Sequence, residues 1–302
     1  MLGILNFRAF TMGLLDSLKS LVSGGRVDVS KRFALLREAV SGTMSKFYMA
    51  RDLHTGKIIG LKILDIEKTA ALEARFRSLN KPCEGLIASR LRHPRIVETY
   101  EYGLTTDGAQ YIVMEFLEGP DLNSLLVARD PCLQAHGLGY LRQSAEAVAA
   151  VHAAGFIHRD VCPRNFLLMR KAAADLKLID FGVTVPATPP FMQPGIRTGN
   201  PNYMAPEIVR RKPTDQRLDV FAFGTMAYEL VTGQLPWFRG ATGLAAMTHD
   251  QSPPDIHQLR PKTHPALAKA IHWCLEAEPS RRCPSLDRFL QAIKDVRALD
   301  AA

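Results

Sequence analysis

Ile157-His158-Arg159-Asp160-Val161-Cys162-Pro163-Arg164-Asn165, followed downstream by Asp180-Phe181-Gly182 and then by Ala205-Pro206-Glu207, decides how this chain is read. The first run sets a carboxylate and an amide five positions apart, and the second adds another carboxylate at a strand-to-loop junction. Such a set suits phosphoryl transfer. One acid orients an attacking hydroxyl and accepts its proton, while the amide and the other acid offer hard oxygens to magnesium on the phosphates. Either short motif alone arises often by chance. Their order and spacing, closed by Ala205-Pro206-Glu207, are too specific for coincidence.

From about Phe33 to about Ile293 the sequence resembles the eukaryotic-type protein kinase family, in particular a Ser/Thr protein kinase-like catalytic domain. The resemblance implies an α+β, two-lobed fold over about 31–298. Its β-rich N-lobe, about 31–117, would carry one main helix, and its C-lobe, about 118–298, would be α-helical. It also implies ATP and Mg²⁺ as cofactors and a protein hydroxyl as acceptor.

Carried onto this chain, the resemblance assigns Lys62, in Ile59-Gly60-Leu61-Lys62, to the α and β phosphates. Taken alone, a lysine ending an apolar strand is usually a snorkelling edge residue. Family spacing to Leu91-Arg92-His93-Pro94 selects Glu84 as the ion-pair partner of Lys62, although Pro82 puts Glu84 in the first turn of its helix. A carboxylate there also favours the helix dipole without any partner. The glycine-rich loop falls on Val40-Ser41-Gly42-Thr43-Met44-Ser45, where only Gly42 survives. Phe47 and Gly60 stand where the family has valine and alanine above the adenine, a large-for-small exchange that conserves pocket volume.

Met114-Glu115-Phe116-Leu117 resembles the gatekeeper and hinge, so backbone groups of Glu115 and Leu117 are expected on adenine, with Asp121 on the ribose or capping a helix. Leu167 completes the nucleotide-contacting set. Asp160 is the expected base, and Asn165 and Asp180 the magnesium ligands. Cys162 replaces the usual catalytic-loop lysine, and Arg164 is expected to supply the missing cation. In Gly199-Asn200-Pro201-Asn202-Tyr203-Met204-Ala205-Pro206-Glu207, Asn200 replaces a threonine. Glu207 is expected to pair with Arg282, and Asp219 to support the catalytic loop.

Of the 302 residues 47% are hydrophobic, and 38 Lys and Arg against 30 Asp and Glu give +8. That excludes wholesale disorder, and with no dense basic run a solvated surface is expected rather than a nucleic-acid partner. Cys83, Cys132, Cys162, Cys274 and Cys283 show no paired spacing, which fits a reducing, cytoplasmic setting better than disulfides or zinc. The extension over 1–30 holds Arg8, Asp16 and Lys19 among apolar residues. It reads as a short amphipathic helix with, at most, a weak membrane-surface contact. No transmembrane segment is expected.

Turn residues His54-Thr55-Gly56 predict a hairpin between Lys46–Arg51 and Lys57–Leu64. Helix is expected from Ile66 to Leu91 with a break near Asn80-Lys81-Pro82. Leu138, Leu141, Ala145, Val148 and Val151 make one helical stripe, and a second helix is expected from Arg217 to Thr232, ended by Gly233. Pro186–Pro194, rich in proline and without periodicity, reads as a mobile loop.

The leading reading is an ATP- and Mg-dependent protein serine/threonine kinase. The alternative is a pseudokinase, a nucleotide-binding interaction module with weak or no transfer, suggested by the eroded glycine loop, Phe47, Cys162 and Asn200. A small-molecule phosphotransferase on the same fold ranks third, because such enzymes generally lack an Ala-Pro-Glu-terminated segment.

Overall fold

A computed structural model of the chain describes residues 25–41, 44–169, 172–195, 198–237 and 245–301. The extension expected as an amphipathic helix lies, up to residue 24, outside the described residues, as does Gly42. The chain forms two compact units: one runs to Arg90 and resumes over Glu98–Phe116, and the other takes Leu91–Val97 and everything from Leu117.

The first unit is built on a six-stranded sheet. In chain order it holds β1 (Arg26–Val27), α1 (Val29–Arg32), β2 (Phe33–Ser41), β3 (Ser45–Asp52), β4 (Ile58–Leu64), α2 (Ile66–Ala74), α3 (Glu84–Arg90), β5 (Thr99–Thr105) and β6 (Gln110–Met114). The sheet order is β1-β5-β6-β4-β3-β2, with β1 parallel to β5 and the other pairs antiparallel. Alternation along the strands sends Ala50, Ile59, Leu61, Tyr111 and Val113 to one face, where they pack with Phe33. Val27 and Val29, from the segment before β2, cover that core. The same segment is fastened by Arg32, whose Nη1 and Nη2 each reach a Glu101 oxygen at 2.6 Å.

The hairpin turn forms where His54-Thr55-Gly56 predicts it: Asp52 Oδ1 accepts from His54 N at 2.9 Å, and Gly56 turns left-handed at φ 72°. The helical stretch also breaks where expected. Asp65 caps α2, a 3₁₀ turn covers Arg77–Leu79, and Asn80 adopts φ 51° before α3 starts beyond Pro82. The one main helix expected in this unit is thus corrected: among the described residues helix between Ile66 and Leu91 is split into two short elements, α2 and α3, and a further short helix, α1, precedes β2.

The second unit contains α4 (Leu122–Ala128), α5 (Cys132–Ala153), β7 (Phe156–Ile157), β8 (Phe166–Met169), β9 (Ala172–Leu178), β10 (Val185–Pro186), α6 (Pro206–Val209), α7 (Arg217–Thr232), α8 (Ile256–Leu259), α9 (Pro265–Cys274) and α10 (Leu286–Ala292). The stripe Leu138, Leu141, Ala145, Val148 and Val151 is buried along α5. Helix α7 is buried on all sides from Leu218 to Val231, so it forms the axis of this unit's core, with Phe223 edge-on to Phe289 at 4.8 Å. Its C-terminus is Gly233 at φ 75°.

The stretch Pro186–Pro194, expected as a mobile loop, holds local structure. Val185–Pro186 pairs with β7, and Pro189–Met192 forms a 3₁₀ turn with Phe191 buried. Thr214 N donates to Met192 O at 2.8 Å, and Arg159 Nη1 reaches Phe191 O at 3.5 Å. Prolines suppress periodicity, but they do not prevent a segment from being held by its neighbours' donors.

Candidate active site

In the first unit Lys62 lies on β4, opposite Phe47 on β3 and Ile112 on β6. It is 9% exposed, and its Nζ donates to Glu84 Oε1 at 2.6 Å. Glu84 is the first residue of α3 and itself buried, so the carboxylate meets both the ammonium and the helix N-terminus. A charge pair this buried persists only where its partners hold their geometry.

Gly60 sits two residues before Lys62, on the same strand face, between Met49 and Met114. A Cβ on Gly60 would come within 2.7 Å of Phe47 Cζ, so the phenyl ring occupies the volume of the absent methyl. Phe47 is in turn stacked with Phe116, centroids 6.3 Å apart and planes 12° from parallel. Val40 is in register with Phe47, but its side chain lies outside the described residues. Met114 is buried at the end of β6. Glu115 N donates to Glu98 O at 2.9 Å, so of its two backbone groups only the carbonyl can serve a base.

In the second unit the loop after β7 turns on Arg159, left-handed at φ 68°. Two consecutive amides hold that turn: His158 N and Arg159 N donate to Asp219 at 2.7 and 2.8 Å. His152 Nε2 stands 2.8 Å from the same carboxylate, which is fully buried. Burial pushes the Asp219 carboxyl up, but His152 and the backbone amides outweigh it and leave it below the usual aspartate range.

Asp160 follows directly. Its Oδ2 accepts from Asn165 Nδ2 at 3.0 Å and its Oδ1 from Asn200 N at 3.0 Å, while its backbone carbonyl accepts from Asn165 Nδ2 at 2.7 Å. Burial, with Asp180 adding to it, raises the Asp160 carboxyl above its ordinary value despite His158 and Asn165. Asn165 Nδ2 donates to Asp160 twice, which fixes the amide and leaves Oδ1 as its acceptor and metal-ligating atom. Asp180 adopts φ 66° and accepts from Gly182 N at 3.1 Å. An amide oxygen and a carboxylate are the hard donors that a magnesium ion bridging phosphates takes, so these side chains fit that ion.

His158 and Phe181 are buried and meet edge to face at 5.5 Å, as packing residues do. Asp121 caps α4, accepting from Ser124 N at 2.7 Å, and its backbone bridges to Leu167. Leu117 is buried. Cys162 is buried too, and desolvation pushes its thiol far up, so it is neutral. Arg164 is exposed, and its guanidinium meets no described partner.

Glu207 and Arg282 form a two-pronged pair, Nη1 to Oε1 at 2.7 Å and Nη2 to Oε2 at 2.9 Å. Three features carried little signal in the sequence. Gly199, at φ 99°, lies so close to the loop that a Cβ would be 2.3 Å from Arg159 O. Asn200, read as an eroded threonine, contributes its main-chain N–H to Asp160 and its side-chain oxygen to Asn202 N at 3.1 Å. His249 Nδ1 is 2.7 Å from Met204 O. A main-chain contact has no side-chain signature. A lone glycine before Asn200-Pro201 was the available hint.

A curled sheet with short helices, a helical second unit, a buried Lys–Glu pair and a loop aspartate hydrogen-bonded to an asparagine together define the protein kinase class of fold. The protein kinase domain family matches residues 34–293, and the chain belongs to that family. It is 33% identical over 280 residues to the serine/threonine-protein kinase pkn3 of Myxococcus xanthus, covering 86% of this chain and 50% of that one. To the serine/threonine-protein kinase PknA of Mycobacterium tuberculosis it is 31% identical over 279 residues, 90% of this chain and 63% of that one. Against PknD of the same species the figures are 32% over 270 residues, 87% and 39%. The chain thus spans less than two thirds of the length of these relatives. Among the described residues no helix is long and apolar enough to cross a membrane.

Proposed function

We propose that the chain is an ATP- and magnesium-dependent protein serine/threonine kinase that transfers the γ-phosphate to a protein hydroxyl. The observation that carries this reading is the Asp160 carboxylate, half-buried, raised in pKa and held by Asn165 and Asn200. A carboxylate so fixed can accept a hydrogen bond from an incoming serine or threonine hydroxyl and orient its oxygen. Lys62, steered by Glu84, holds α and β phosphate oxygens. Asn165 Oδ1 and Asp180 would hold Mg²⁺, which when bound neutralises charge on the phosphates. By the family resemblance, the first unit would offer the base the Glu115 carbonyl with Val40, Gly42, Phe47, Gly60 and Met114, and the second unit would offer the Leu117 amide and Leu167 to the base and Asp121 to the ribose.

The serine/threonine assignment draws on the names of the relatives. Five free cysteines support a reducing, cytoplasmic location. No nucleic-acid partner is proposed, and the only membrane contact proposed is a weak one through the N-terminal extension. The test is labelling of a generic basic protein from γ-labelled ATP with Mg²⁺. Wild type is expected to transfer and Lys62→Met is not.

Arg164 supplies the cation that Cys162 cannot. A permanently charged guanidinium on the same short turn as Asp160 can grip phosphate oxygens or the acceptor hydroxyl. Arg164→Ala should lower kcat by about 10²–10³-fold, and Cys162→Lys in that background should restore part of it. Steady-state kinetics would remove Arg164 from the machinery if kcat of the single variant were unchanged.

Thr184, Thr188 and Thr198 are the candidate phosphorylation sites of the segment that follows Asp180-Phe181-Gly182; Thr184 and Thr198 are both buried, Thr184 donating from Oγ1 to His158 O at 3.3 Å and Thr198 Oγ1 accepting from Arg159 Nε at 3.2 Å. A phosphate on Thr198 would meet that arginine directly and order the segment. Mass spectrometry of active protein should find phosphate on Thr198 rather than Thr184, and Thr198→Ala should lower activity. Full activity in that variant would show that no such switch exists.

A further inference from the structure

Phe47 and Gly60 fit each other in a way that bears on the nucleobase. Both lie on the strand face that carries Lys62, since Phe47 is paired with Lys62 and Gly60 precedes Lys62 by two residues. The added Cβ at Gly60 would be 2.7 Å from Phe47 Cζ, 3.0 Å from Cε2 and 3.2 Å from the Glu115 carbonyl oxygen. One edge of the ring therefore fills the space above the glycine, beside the carbonyl assigned to the base. The ring is also braced: it stacks on Phe116, and the Arg37 guanidinium stands 5.9 Å from the Phe116 centroid. Phe47 is half-buried, so part of the ring stays accessible.

We propose that Phe47 is an aromatic platform on which the nucleobase stacks, and that Gly60 is the vacancy that lets the platform lie there. The inference rests on the nucleotide reading above and deepens it. A phenyl face attracts a flat heteroaromatic ring by offset stacking, whichever hydrogen-bonding edge that ring presents. Its contribution is thus the same for adenine and guanine, and discrimination between them is left to backbone groups such as the Glu115 carbonyl. The ligand class is a purine nucleoside triphosphate. The pair is also interlocked: a methyl on residue 60 and a ring on residue 47 exclude one another.

Calorimetric titration of the full chain with ATP and with GTP, each with Mg²⁺, tests this on wild type, Phe47→Val, Gly60→Ala and the double variant. Phe47→Val should weaken ATP and GTP by a similar factor, about tenfold, as loss of one base–ring stack does. Gly60→Ala should weaken both further by displacing the ring, and the double variant should bind more tightly than Gly60→Ala alone. A thermal melt checks folding. If Gly60→Ala fails to fold, the double variant must still fold and must bind like Phe47→Val.

Unchanged or tighter binding by Phe47→Val, or losses that simply multiply in the double variant, would overturn the platform. Binding by Phe47→Val but not by wild type would mean that the ring plugs the base position, which overturns the platform and leaves the nucleotide reading standing. No binding by any folded variant would remove both.

Discussion

Asp160→Asn should lower kcat by about 10³-fold, within the range that a positioned general base contributes. In the proposed reaction the carboxylate orients and deprotonates the acceptor, and an amide of the same shape cannot take the proton. The substitution also disturbs the site locally. Both carboxylate oxygens accept hydrogen bonds, one from Asn165 Nδ2 and one from Asn200 N, so an amide nitrogen must face one of those donors. Circular dichroism and melting should nevertheless stay close to wild type.

The pH profile adds a second readout. Burial raises the Asp160 pKa, so protonation sets in at higher pH than for an ordinary aspartate. Activity that needs the carboxylate should therefore rise with pH through that raised value and fall on acidification. The acid limb of kcat/KM should lie above the usual aspartate range in wild type and vanish in Asp160→Asn. An identical acid limb in both would assign the titration to another group.

Arg282→Met is expected to destabilise the second unit by about 3–5 kcal/mol, the usual cost of removing one member of a buried ion pair. The arginine side chain is wholly buried. Besides gripping Glu207 twice, Arg282 donates from Nε to Glu276 O at 2.8 Å, from Nη1 to Arg217 O at 2.8 Å and from Nη2 to Ala277 O at 3.1 Å. Its guanidinium also lies 5.0 Å from the Phe221 ring centroid. Without it, Glu207 is a buried carboxylate that has lost its two hydrogen bonds to a guanidinium, and three carbonyls lose a donor. Urea denaturation checks this. Glu207→Gln should cost less, because the buried guanidinium it leaves without a carboxylate still has three carbonyl acceptors and the amide oxygen. A loss below about 1 kcal/mol in Arg282→Met would mean that solvent reaches the pair, as at exposed ion pairs.

Where local chemistry set the structure, the sequence was readable. The helix expected over Arg217–Thr232 forms with those bounds, because Gly233 takes the left-handed cap and apolar residues fill every side of the helix. The hairpin around Gly56 and the break at Asn80 follow from turn residues in the same way. The Lys62–Glu84 pair could be named only through the family's spacing, since Pro82 puts Glu84 at a helix start where a carboxylate is expected anyway.

Features made by distant backbone were not readable. Pro189–Met192 is ordered by Arg159 and Thr214, and Asn200 serves Asp160 through a main-chain amide common to nearly all residue types. Strand β1 is two residues long, too short for any periodicity, yet it extends the sheet and brings Val27 onto the core. It also precedes the stretch that matches the family.

The most direct test of the account is transfer of labelled γ-phosphate from ATP with Mg²⁺ by the wild-type chain, measured alongside ATP-induced thermal stabilisation. Phosphotransfer to serine or threonine, together with stabilisation, is the result predicted. Stabilisation by ATP without any transfer would contradict it and make the chain a nucleotide-binding module.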